Sequence, residues 1–149
     1  MGNHTIQVLA ILALFVPGCG VPHFQGVEEF VGTWVATSES LARLPNAPGN
    51  NCVMDLRADG SCRVGNLPDL AYHTTDRVKG AFASGTGKWR LSASAGEQVL
   101  LCELIDFPGS DTGHSIIEVR IRKVGSDLRL FFFIGDPDER NVFEFEKRR

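Results

Sequence analysis

The chain has 149 residues, 43% hydrophobic and 22% charged, with a formal charge of −3. That is the size and composition of one folded domain with one core. Its 15 Lys and Arg are interspersed among 18 Asp and Glu, so there is no basic stripe to neutralise a phosphate backbone, and nucleic acid is not an expected partner.

The first element is apolar. From Ile6 to Val16 the run IQVLAILALFV holds a single polar residue, Gln7, before Pro17-Gly18. A membrane span needs about 20 helical residues, whereas the apolar part of a secretory signal takes roughly 7–15, so the run reads as a signal and not an anchor. Val16-Pro17-Gly18-Cys19 resembles the lipobox of bacterial lipoproteins, in which a peptidase cuts before a cysteine already carrying diacylglycerol. The resemblance implies a leader at 1–18, a lipidated N-terminus at Cys19, a tether over 19–29 and a domain at 30–149. It also implies an address in the cell envelope, facing the periplasm or the exterior, with several acyl chains holding the membrane through Cys19. Ordinary secretion, and a cytosolic chain in which this run is a buried strand with Cys19 a small core residue, are the alternatives. Myristoylation is excluded because Ile6 stands where Ser or Thr is required.

Beyond the tether the hydrophobic period is two. Strands are predicted at 30–37, 52–57, 61–67, 86–93, 98–104, 115–124, 127–134 and 141–147. The alternation is clearest in the sixth, where Ile117, Val119 and Ile121 share one face and Glu118, Arg120 and Arg122 the other. In the seventh, Leu128, Leu130, Phe132 and Ile134 form an apolar face with Phe131 and Phe133 behind it. In the eighth, Phe143 and Phe145 alternate with Glu144 and Glu146. The turns RADGS, VGSD and GDPDERN suit antiparallel neighbours, with Gly60 and Pro137 supplying the turn geometry. One helical turn fits between Ser38 and Asn51, and 68–85 reads as a long loop with room for a short helix or strand. The predicted fold is all-β, an antiparallel up-and-down meander of about eight strands closing into a β-barrel, with a two-sheet β-sandwich as the alternative.

At FVGTW the chain resembles the first strand of the calycins, the lipocalins and fatty-acid-binding proteins, which implies that Trp34 sits at the closed end of a barrel. It is also similar to small bacterial lipoproteins of unknown function. The matching segments are Gly32–Trp34, Leu56–Cys62, Asn66–Pro68, Gly85–Trp89, Gly135–Asp138 and Phe143–Lys147. This resemblance implies a lipocalin-like domain and an envelope address, and it carries no activity.

Little in the chain suggests chemistry. Opposite Leu56 in a tight hairpin, Cys62 leaves Cys52 too far up the ladder for a disulfide; either Cys102 bridges one of them or all three are buried thiols. No CxxC or HxxxH spacing offers a zinc site, and no cofactor is expected. Asp136, Asp138 and Glu139 lack the order of a calcium loop and read as a solvated turn. His73 and His114 lie near Asp76, Asp111, Ser110 and Ser115, but without a nucleophile elbow a hydrolase is only the alternative from another class. The expected function is therefore non-enzymatic: a lipoprotein whose barrel binds a small apolar molecule or an envelope protein. Trp34, Leu56, Cys62, Trp89, Leu130 and Phe132 are the candidates to line the interior, hollow or packed. Phe82, Phe131, Phe133, Asp136 and Asp138 are candidates to meet a partner, with Phe131 and Phe133 expected beneath the 69–84 loop.

Overall fold

In the computed structural model, residues 26–44, 52–68, 82–105, 114–133 and 142–149 are described. The expected leader and tether up to residue 25, with Cys19, His73, Asp136 and Asp138, lie outside them. A 3-10 turn, Val27–Glu29, leads into β1 (Gly32–Ala36), and a short helix α1 (Ser38–Ala42) follows. The remaining strands are β2 (Val53–Leu56), β3 (Ser61–Pro68), β4 (Phe82–Ser94), β5 (Glu97–Ile105), β6 (His114–Val124), β7 (Asp127–Phe133) and β8 (Val142–Lys147). Each pairs antiparallel with the next and β8 pairs with β1, so the sheet is a closed eight-stranded barrel. The sandwich alternative does not apply.

The turns follow from local chemistry. Asp59 Oδ1 accepts hydrogen bonds from Ser61 N at 2.8 Å and Ser61 Oγ at 2.6 Å, and Gly60 takes φ 78°. The same bonds lower the Asp59 pKa. Between β4 and β5, Ala95 and Gly96 both have positive φ, 50° and 83°, as a two-residue hairpin with the right-handed strand twist requires. Helix α1 is capped by Thr37, whose Oγ1 accepts from Ser40 N at 3.2 Å. Ser40 Oγ in turn accepts from Glu144 N at 2.8 Å, which ties α1 to β8.

Alternation places one apolar face inside. Trp34, Met54, Leu56, Cys62, Val64 and Trp89 on β1 to β4 meet Leu100, Cys102, Leu104, Ile117, Val119, Leu130, Phe132, Phe143 and Phe145 on β5 to β8. Two departures from simple alternation matter. A bulge between Val64 and Leu67, with Asn66 at φ 53°, returns Leu67 to the inside although it is an odd number of residues from Val64. Strand β4 starts at Phe82, four residues before its predicted start, because Phe82 and Ala83 pair with Pro68 and Leu67. Its Gly, Ala and Ser residues carry no periodic apolar signal, so only the ladder reveals that 82–85 is strand and not loop.

Gly87 lets β5 cross β4 closely: a Cβ there would meet Glu103 O at 1.9 Å and Leu104 Cα at 2.9 Å. Gly87→Ala is therefore expected to cost roughly 2–3 kcal/mol of stability. At Gly125, φ 64° with open space around it, the same change costs only the left-handed backbone, about 1 kcal/mol. Urea denaturation of the two variants reads the difference.

Candidate functional site

The six residues expected to line the interior are all placed there. Trp34 and Leu130 are 0% exposed, Leu56 1%, Cys62 4%, Trp89 5% and Phe132 6%. A side chain with no accessible surface leaves no room beside it for a water molecule, and in the interior Phe30, Met54, Leu100, Phe143 and Phe145 are equally enclosed. Phe132 stacks on Phe143 at 5.2 Å, and Phe143 meets Phe145 edge-on at 5.2 Å. Both indoles are satisfied: Trp34 Nε1 donates to Phe30 O and Trp89 Nε1 to Arg57 O, each at 2.8 Å. The first bond seats Trp34 over the 3-10 turn; the second ties Trp89 on β4 to the β2–β3 turn.

Among the described residues the three barrel cysteines are free and buried. Cys62 and Cys102 point inward from β3 and β5 with β4 between them, opposite Gly87 and Trp89 respectively. Two ladder spacings of about 4.8 Å and an offset of two residues along the strands hold their Cα atoms beyond the separation of about 4.4–6.8 Å that a disulfide needs. The thiols hydrogen-bond instead. That bond lowers the Cys62 pKa against the opposing effect of burial, and it raises that of Cys102 well above the ordinary thiol, with burial and the Cys62 charge acting in the same direction. Burial alone pushes Cys52 up to about 12.

On the outer face, Phe131 and Phe133 are half-buried and meet edge-on at 5.7 Å. Guanidinium groups lie over them: Arg122 stands 5.1 Å from the Phe131 ring centre and Arg120 5.3 Å from that of Phe133, while residues 69–81 of the segment expected above them lie outside the described residues. Residues 82–84 belong to β4, across the barrel from β7. Arg122 Nη2 also pairs with Glu144 Oε1 at 2.9 Å, and Arg120 Nη1 with Glu97 Oε2 at 2.9 Å.

The meander sorts its connections between two ends. Tight turns at 57–60, 95–96 and 125–126 share one end with the 3-10 turn. The strand ends flanking 69–81, 106–113 and 134–141, together with α1, share the other. Phe82, Phe133 and His114 lie at this second end, and Asp136 and Asp138 belong to a segment whose flanking strands end there. His114 is exposed, with Ser115 half-buried beside it. Among the described residues no three or more His, Cys, Asp and Glu gather as a metal site. Surface clefts among the described residues include one of about 780 Å³ beside the ends of β7 and β8, and one of about 290 Å³ between α1 and the outer residues of β6 to β8. Sequence periodicity missed both clefts, since each is built from charged residues distant in the chain.

No protein-family model, curated protein or solved structure matches the chain.

Two outcomes are expected. Arg122→Ala removes the Phe131 cover and the Glu144 partner together, lowering stability by about 1 kcal/mol and increasing binding of a hydrophobic dye. For Cys52, a folded-state pKa of about 12 lies above the ordinary 9.0, so its contribution to stability is complete below pH 9 and lost as pH rises towards 12. The urea midpoint therefore falls through that window, and Cys52→Ala flattens the fall.

Proposed function

We propose that the protein is a non-enzymatic lipoprotein of the bacterial cell envelope, held to a membrane through lipid on Cys19, whose barrel is a packed scaffold that binds a protein partner on its outside. The observation that carries this reading is the filled interior. Eight strands enclose a space just wide enough for side chains or one small ligand, and here stacked aromatic rings and fully buried aliphatic residues occupy it. That favours the packed, ligand-free form of a lipocalin-like domain over a carrier of an apolar molecule.

The partner surface we assign is the end shared by the strands that flank the long connections. Phe82 and Phe133 are on the strands that enter and leave it, and Asp136 and Asp138 belong to one of its connections. Binding residues concentrate on loops carried by a rigid scaffold, and the ladder from β1 to β8 is such a scaffold. The envelope address rests on the apolar leader and Val16-Pro17-Gly18-Cys19.

Native mass spectrometry of the protein purified gently from an envelope extract is expected to give the mass of the lipidated chain alone. A stoichiometric small-molecule adduct beyond the lipid would overturn the packed reading and name the ligand class. Radiolabelled fatty acid is expected to enter the wild-type chain and not Cys19→Ser; label surviving the substitution would remove the tether.

A further inference from the structure

The ladder between β7 and β8 stops at Arg129 and Glu146, two residues short of the start of β7. Beyond that point β8 leaves β7 for β1: Lys147 pairs with Trp34, and Arg148 N donates to Thr33 O at 2.8 Å. The splay opens the cleft of about 780 Å³, which falls in the range of roughly 300–1,000 Å³ typical of ligand sites. Val35 and Leu128 supply apolar surface in it.

Its charge runs against that of the molecule. The chain carries −3, yet Lys123, Arg129, Lys147, Arg148 and Arg149 line the cleft against the carboxylates of Glu29, Asp127 and Glu146, a surplus of two cations among the side chains. The carboxylates do not quench all of them. Arg129 pairs with Glu146, and Arg149 reaches Asp127 only at 3.4 Å. Lys147 Nζ donates to the Glu29 carbonyl at 2.9 Å and stands 5.8 Å from the Trp34 ring centre. The exposed guanidinium of Arg148 has no ion pair among the described residues.

The position of the cleft gives this charge a partner. Glu29 in its wall is three residues from Gly26, where the chain enters the barrel at the tight-turn end. Residues 19–25, at no more than about 3.6 Å each, hold that entry within roughly 25 Å of the lipid on Cys19. We infer that the β7–β8 cleft is a docking site for anionic phospholipid headgroups, which sets the barrel on the membrane by its tight-turn end and turns the long connections outwards. The inference rests on the lipoprotein reading for its geometry. A phosphate group meets guanidinium and ammonium donors there, and the apolar floor takes the glycerol and upper acyl carbons.

The test uses the full chain reconstituted with vesicles of phosphatidylcholine alone or of phosphatidylcholine with phosphatidylglycerol. Acetylation of each lysine is followed by mass spectrometry. Lys123 and Lys147 are expected to react about fivefold more slowly in the anionic vesicles, with the effect lost in about 0.5 M salt and in Arg148→Ala/Arg149→Ala. Lys79, in the 69–81 connection whose flanking strands end at the opposite end of the barrel, is expected to react equally in both. Equal reactivity of Lys123 and Lys147 in the two vesicles overturns the site, as does equal slowing of Lys79, which means general coverage. Slowing by inorganic phosphate in neutral vesicles, with no response to anionic lipid, assigns the cleft to a free anion and overturns the membrane role. Flotation of the same samples separates the two readings: failure to float with neutral vesicles removes the anchor, whereas the lysine footprint reports on the cleft alone.

Discussion

Closure of the sheet is the constraint on which the rest of this molecule depends. The rungs between β1 and β8, extended by the bonds from Arg148 N to Thr33 O and from Thr37 N to Glu144 O, remove the last open edges. A closed sheet has one inside, so every strand must keep its parity around the circle, and a strand that slips by one residue puts its apolar set in water. The bulge at Asn66 and the close crossing at Gly87 are local adjustments that keep this parity while the sheet bends.

Closure also decides where binding can occur. The interior is filled by Trp34, Phe132, Phe143, Phe145 and their aliphatic neighbours, and on the proposed reading recognition takes place on the outside. The outside is itself differentiated. Arginine on β6 lies over the phenylalanines of β7 and pairs with glutamates of β5 and β8, so apolar area that alternation leaves on the wet face is covered by charge. The two ends differ as well. One has tight turns and a cationic cleft; the other carries the flanks of the long connections. The described chain begins at the first end, at Gly26, and under the proposed envelope reading that end faces the membrane and the other the surroundings.

Most of the barrel was legible in the chain because half of each strand faces solvent. In β6, Ile117 and Val119 alternate with Glu118 and Arg120, and that contrast is the fold's signature in one dimension. The signal fades where composition is uniform. Residues 82–85 contain Phe, Ala, Ser and Gly with no alternation, and their strand character comes from pairing with Leu67 and Pro68. The cover on Phe131 and Phe133 was also invisible, since Arg120 and Arg122 meet them across a ladder. The expected burial of Trp34 and Trp89 was readable, whereas the carbonyls that satisfy them, at Phe30 and Arg57, were not.

The sequence by itself determined the class of the domain, the number and direction of its strands and which residues face inward, because each of these is written in local periodicity. Only the tertiary structure decided that β8 closes onto β1, that the interior is filled, that Cys62 and Cys102 meet as thiols across Gly87, and that cations from the ends of β6, β7 and β8 gather at one cleft. Those outcomes depend on distances between residues far apart in the chain, and such distances exist only after the ladder has set the register.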